Sequence, residues 1–253
     1  MGDMLLDNLR KESVSIEDVG RDPRANSGVA VIYVNSSGEN MIAVAPGVDH
    51  FIEPRDVEAA ERTLEGSKVI LAQLEVPVET VEFAMRLAKR KGKLTALNPA
   101  PATPLPPEIF ESVDVLTPNR IELEALTRHT TTTEQSILES ALTLMKKGIK
   151  QVVVTLGSRG AMVVTESEHR IVPSYRVEVV DTVGAGDAFN GALAVALSID
   201  EDVFEAVRFA NLVASLKVTK RGAQTGLPTL KQVVEFSEAK GLGGVPRSLL
   251  SLI

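Results

Sequence analysis

An α/β fold with a mainly parallel, helix-covered sheet is predicted by three features of this chain. From about Lys68 onward, strand-like apolar runs alternate with helical patterns, the rhythm of βαβ units. The 253 residues are 44% hydrophobic, enough to bury a full core as one α/β domain. A glycine-rich turn at Gly184 to Gly186 joins the β-rich residues 177–180 to residues 188–197, where small and apolar residues recur at helical spacing.

Along the chain, residues 4–11 predict a first helix. Residues 29–34 and 41–45 flank the polar run Asn35-Ser36-Ser37-Gly38-Glu39-Asn40, whose turn chemistry predicts a hairpin. A strand over 69–74 precedes a helix over 78–91, in which Val81, Ala84, Met85 and Ala88 form an apolar stripe and Arg86, Lys89 and Arg90 are left to solvent. Strands follow at 94–97 and 113–116, with Pro101, Pro104, Pro106 and Pro107 confining part of the interval to a loop. Residues 151–156, 161–165 and 170–172 read as successive strands, the first turn made by residues 157–160. Near the end, Gly241-Leu242-Gly243-Gly244 reads as a flexible joint.

Composition removes several function classes. The net charge is −7 and the basic residues are scattered, which argues against nucleic acid or an anionic membrane surface as the main partner. There is no cysteine, and His50, His129 and His169 lie in no metalloprotease spacing, so disulfides, thiolate zinc sites and transition-metal chemistry are not expected. The first residues lack a basic segment followed by a long apolar stretch, and no later run reaches membrane-spanning length. A cytoplasmic protein is expected, in which Asn35-Ser36-Ser37 is a chance glycosylation sequon.

The chemistry concentrates in Asp181-Thr182-Val183-Gly184-Ala185-Gly186-Asp187-Ala188-Phe189-Asn190-Gly191. Free N–H groups at a helix start carry the positive end of the dipole and favour a phosphate or a developing anion. Asp187 would repel a phosphate, but it suits removal of a proton from an attacking hydroxyl. Dinucleotide and P-loop readings fail: the position three after Gly186 is Phe189, and no GxxxxGK[ST] run exists. Glu75 closes a strand that reads as buried, where a carboxylate is costly unless it is paired or faces a cavity.

This run resembles the signature of the ribokinase-like carbohydrate kinases, the phosphofructokinase-B type family. Gln73-Leu74-Glu75, Asn98-Pro99-Ala100-Pro101-Ala102, Thr117-Pro118-Asn119 with Glu122, Thr155-Leu156-Gly157-Ser158-Arg159-Gly160 and Arg221-Gly222-Ala223-Gln224 extend the resemblance in the family's order over nearly the whole chain. The resemblance implies a three-layer α/β/α sandwich in a single domain, residues 1–253, with residues 29–47 a partial β lid. It implies ATP-dependent phosphorylation of D-ribose at its 5-hydroxyl, and a homodimer formed through the lid.

The residue roles are carried over the same way. Asp187 matches the catalytic base and also contacts the sugar. Gly184, Ala185 and Gly186 match the anion hole, Glu75 the sugar site, and Asn98 a supporting position. Asn119 and Glu122 match the element that organises Mg2+ and the phosphates. Thr155, Leu156, Gly157, Ser158, Arg159, Gly160, Gly186 and Asn211 match nucleotide contacts. Asp181, with the backbone oxygens of Val183, Lys217, Lys220, Gly222 and Gly226, matches a K+ site, although Gly226 stands where the family commonly has Ser. The match begins several dozen residues into the family's pattern, so its GGxxxN sugar-binding motif has no counterpart in these residues. Three expectations follow: a ribose kinase, a kinase for another sugar or a nucleoside, and a nucleotide-binding or interaction module without turnover.

Overall fold

Side-chain caps set several helix starts in the computed structural model, which describes residues 1–34 and 40–251. The predicted Asn35-Ser36-Ser37 sequon and most of the predicted 35–40 turn fall on residues 35–39, outside the described residues. The elements run α1 (Gly2–Lys11), β1 (Val29–Val34), β2 (Asn40–Ala45), α2 (Pro54–Ala59), α3 (Glu61–Gly66), β3 (Val69–Ala72), α4 (Val78–Arg90), β4 (Leu94–Leu97), β5 (Val115–Leu116), α5 (Arg120–Thr127), α6 (Glu134–Met145), β6 (Gln151–Thr155), β7 (Ala161–Val164), β8 (His169–Val172), α7 (Ala185–Ser198), α8 (Val203–Lys217), α9 (Leu230–Ala239) and α10 (Arg247–Leu250). Asn119, Thr133, Asp202 and Thr229 accept backbone N–H bonds at the starts of α5, α6, α8 and α9. Each such cap contributes about 1 kcal/mol.

β1 and β2 pair antiparallel as the predicted hairpin. The main sheet has the order β3-β4-β5-β6-β7-β8. β3 to β6 are parallel, and β7 and β8 return antiparallel. The carboxyl ends of β3, β4, β5 and β6 therefore share one edge, where ligands bind in open α/β sheets. Strand alternation separates two cores. Val153 and Val163 face Phe189, Leu193 and Phe209 of α7 and α8. Val152 and Val154 face Met85, Leu123, Ile137 and Leu144 of α4, α5 and α6. This is the expected three-layer sandwich. Among the described residues β3 has no partner on its outer side, and Leu71 there is 40% exposed.

Three local readings need correction. Residues 177–180 form no strand, because no strand runs alongside; the amides of Val180 and Asp181 both go to the Val218 carbonyl beyond α8. Residues 241–244 are no free joint: Ser237 and Leu242 exchange two hydrogen bonds, and Tyr175 Oη donates to the Gly243 carbonyl at 2.8 Å. The apolar stripe of α4 is buried at Val81, Met85 and Ala88 as predicted, but Lys89 turns inward to Asp114.

Asp114 also meets Lys150 at 3.0 Å and accepts from the Thr95 amide and hydroxyl. Burial pushes its carboxyl up, but the bonds from Lys89, Lys150 and Thr95 outweigh it and hold it below its ordinary value of 3.8. A carboxyl lowered on folding adds stability above its unfolded value, and that stability is lost as pH falls through the lower folded value. Asp114→Asn is expected to cost about 1–2 kcal/mol at neutral pH, after allowing for solvent screening of the lysines, and nothing extra in acid. Denaturant unfolding of both proteins at neutral and strongly acidic pH checks this: the gap between them must close in acid.

Candidate active site

The first turn of α7 projects from the carboxyl edge of the sheet. Gly184 is its N-cap, left-handed at φ 76°, and is packed against Ala223. That conformation lets the chain turn sharply from the Asp181 loop into the helix. The helix begins at Ala185, three residues earlier than the periodicity indicated, so Ala185 and Gly186 are helical.

This changes the makeup of the expected anion hole. The Ala185 amide donates to the Thr182 carbonyl at 3.1 Å and closes the turn internally. The amides of Gly184, Gly186 and Asp187 have no acceptor among the described residues. Those are the N–H groups a helix start leaves for an anion. The Asp187 side chain is exposed beside them, without an ion pair or hydrogen bond among the described residues.

A relay of hydrogen bonds ties this turn to the strand ends. Asn98, after β4, donates through Nδ2 to the Thr117 carbonyl at 2.8 Å. The Thr117 hydroxyl, after β5, donates to Asn190 Oδ1 at 2.6 Å, and Asn190 Nδ2 donates to the Gly186 carbonyl at 3.0 Å. Thr117 and Asn190 are 1% and 6% exposed, so the relay is dry and fixes the height of the amides above the sheet. Sequence reading gave neither a role; the signal available was a polar side chain on the apolar side of the α7 pattern.

Beside the relay lies an open cleft of about 430 Å3, lined by Asn119, Arg120, Ile121, Glu124, Thr155, Leu156 and Gly157. The Thr155 amide donates to the Pro118 carbonyl at 2.9 Å, which joins the two predicted nucleotide segments. Arg120, Ile121 and Glu124 were not anticipated; Ile121 is 74% exposed and gives the cleft an apolar flank.

The remaining predicted residues divide. Gly157 is left-handed at φ 61° with open space around it, so a ligand can approach its backbone. Gly160 is buried at φ 93°, where a Cβ would lie 2.1 Å from the Val172 carbonyl; it is needed for packing on β8. The Leu156 side chain joins the core, Arg159 reaches Glu134 at 3.5 Å, and Ser158 receives the Ser174 hydroxyl at its carbonyl. Asn211 is 4% exposed and donates to the Val172 and Pro173 carbonyls, so it braces the end of β8 from inside. Glu75 lies beyond β3, which ends at Ala72, and is exposed on the carboxyl edge; the expectation of burial was wrong because the strand is shorter than predicted.

Glu122 is 7% exposed and forms a capping box with Asn119, accepting from its backbone amide at 2.8 Å and from Nδ2 at 2.7 Å. Burial pushes its carboxyl up, and the backbone bond from Asn119 only partly offsets this. Its first effect is to orient Asn119 at the cleft. Among the described residues no three His, Asp or Glu converge on a possible metal position. This donor set fits Mg2+ carried on phosphates and met through water, not a protein cage.

The predicted K+ loop is closed around a side chain of the protein itself. Asp181 Oδ1 accepts from the Val183 amide at 3.0 Å and Oδ2 from the Gly222 amide at 2.8 Å. These bonds hold its carboxyl below the usual range, helped by the Lys217 and Arg221 charges. Lys217 is fully buried and its Nζ donates to the Asp181 carbonyl at 3.0 Å. Its Cε lies 3.2 Å from where a Cβ on Gly226 would stand. The donor set does not fit an added monovalent cation, because an ammonium already enters the loop.

Three comparisons bear on this arrangement. The profile of the pfkB family carbohydrate kinases matches residues 1–230. Ribokinase of Haemophilus influenzae is 35% identical over 238 residues, 94% of this chain and 78% of that protein. Deoxyribokinase of Salmonella typhi is 37% identical over 235 residues, 92% of this chain and 77% of that protein. The structure of Arabidopsis thaliana ribokinase complexed with ribose and ATP superposes with a TM-score of 0.76 at 32% identity, covering 84% of this chain and 69% of that one. Among the described residues no helix is long and apolar enough to cross a membrane.

Proposed function

This chain belongs to the pfkB family of carbohydrate kinases and is by class an ATP-dependent sugar kinase, and from that premise we propose that it transfers the γ-phosphoryl group of ATP to the 5-hydroxyl of D-ribose. The observation that carries the proposal is the set of amides at Gly184, Gly186 and Asp187, which have no acceptor among the described residues, with the Asp187 carboxylate exposed beside them. Phosphoryl transfer asks little covalent work of the protein; it needs charge stabilisation on the moving oxygens and an aligned hydroxyl. The α7 amides supply the first. Asp187 accepts the proton of the attacking hydroxyl, and Glu75, on the same sheet edge, holds the sugar.

ATP lies in the cleft of Asn119, Thr155 and Gly157, its base against Ile121 and its phosphates toward the first turn of α7. Asn119 and Glu122 would hold Mg2+ through water, and the ion would supply neutralisation of phosphate charge. The β1–β2 hairpin serves as the lid, and Val29, Val31 and Tyr33, exposed on one of its faces, form the surface through which two copies pair. A second reading, 2-deoxy-D-ribose as substrate, is favoured by the likeness to Salmonella typhi deoxyribokinase.

A coupled ADP-release assay across ribose, deoxyribose, fructose and adenosine tests the assignment. Ribose or deoxyribose is expected to give the highest kcat/KM. A preference for fructose or adenosine refutes the substrate, and silence with all of them beside measurable ATP binding favours a nucleotide-binding module. In the same assay Asn190→Leu is expected to lower kcat by about 10- to 100-fold, since it removes the side-chain bond to the Gly186 carbonyl and leaves the Thr117 hydroxyl only its 3.4 Å bond to the Leu97 carbonyl. An unchanged kcat with lowered thermal stability would mean that the relay only holds the fold.

A further inference from the structure

We infer that the Lys217 side chain is a built-in monovalent cation, and that this protein works without K+. The inference rests on the proposed kinase site only for where the charge acts. Lys217 is the last residue of α8, where the negative end of the helix dipole favours a cation. It is fully buried, yet it forms no ion pair with any carboxylate among the described residues. An ammonium in that position is costly unless something in the fold requires it. What it meets is the Asp181 loop: its Nζ bonds the Asp181 carbonyl, and the Asp181 carboxylate is held nearby by the Val183 and Gly222 amides.

The position across the loop is adapted to it. A Cβ on Gly226 would stand 2.5 Å from the Gly222 carbonyl and 3.2 Å from Lys217 Cε, so a larger residue there would strike the carbonyl and crowd the lysine. A long charged side chain and a glycine packed closely on it thus occur together, beside the Asp181, Arg221 and Gly222 carbonyls. The loop leads within three residues to the left-handed Gly184, and Ala223, next to Gly222, is the surface on which Gly184 packs. By fixing the loop, the ammonium holds the α7 amides in register and adds positive potential behind them. Lys217 is a positioning residue; it touches no reacting atom.

The test compares the unaltered protein with Lys217→Ala and Lys217→Met in potassium and in tetramethylammonium chloride at equal ionic strength, by turnover and by thermal unfolding. The unaltered protein is expected to have the same kcat and Tm in both salts. Lys217→Ala vacates the space of the ammonium against the Asp181 carbonyl, so it should lose about tenfold or more in kcat in tetramethylammonium, recover in potassium, and gain a potassium-specific rise in Tm. Lys217→Met fills the space without charge and should be slow in both salts. Potassium activation of the unaltered protein, or a Lys217→Ala protein blind to potassium in both readouts, overturns the inference. If Lys217→Ala does not fold in either salt, the response of the unaltered protein still decides. Absence of turnover in every salt counts against the kinase reading instead, while the Tm comparison continues to judge the tethered charge.

Discussion

Asp187→Asn is expected to lower kcat by about 10²–10⁴-fold, the share a positioned general base contributes, while ATP affinity measured by calorimetry stays within about twofold. The substitution keeps the size and hydrogen-bonding reach of the side chain and removes its ability to take a proton. It leaves the amides of Gly184, Gly186 and Asp187 in place, because they belong to the backbone of the first turn. The side chain is exposed and unpaired among the described residues, so the fold should lose little, and thermal unfolding should report a near-normal Tm. Near-normal turnover in the variant would remove Asp187 from the chemistry. Loss of ATP binding along with turnover would show that the residue shapes the site and does not serve as its base.

Gly184→Ala is expected to lower kcat by about 10²–10³-fold, the loss that follows removal of one oxyanion-hole donor. Two effects combine. A residue with a Cβ pays about 1–2 kcal/mol to hold the left-handed conformation that Gly184 adopts at φ 76°. The new methyl would also stand 3.2 Å from the Ala223 carbonyl, so the turn must lift away from the 222–226 loop. The free amides then move relative to the cleft, where about 1 Å of misplacement is already costly. Gly191→Ala is the control: it adds a Cβ in α7 where nothing lies within 4 Å, and it should leave kcat almost unchanged. Equal losses in the two variants would contradict the role given to the N-cap.

The order of elements and the turn at the candidate site were legible because period and punctuation agree in this chain. The parallel strands, the amphipathic α4 and the turn ahead of α7 each follow from local pattern, and the two faces of β6 divide between two cores by strand alternation alone. Partnership was less legible. Residues 177–180 have strand composition but no neighbouring strand, and pairing is a property of the sheet, not of the segment. Lys89 has the spacing of a solvent residue, yet Asp114, 25 positions away, draws it inward.

At the site, the motif identified the turn but not which amides the turn consumes. That Ala185 closes on Thr182 depends on where the helix begins, which is the least local feature of a helix. Asn190 and Thr117 escaped notice because their meaning lies in a contact across 73 positions. Lys217 is the sharpest instance. By resemblance it supplies only a carbonyl, and only the packed structure places its ammonium against the Asp181 loop.

The proposed transfer requires the free amides of the first turn of α7 to receive the moving phosphoryl group. Amide chemical shifts in a 15N-labelled sample, recorded before and after addition of D-ribose with ADP, Mg2+ and aluminium fluoride, test it most directly. The largest downfield displacements are expected at Gly184, Gly186 and Asp187, with Ala185 little moved because its N–H is already bonded to Thr182. A saturated complex in which those three resonances stay in place while others shift would contradict it.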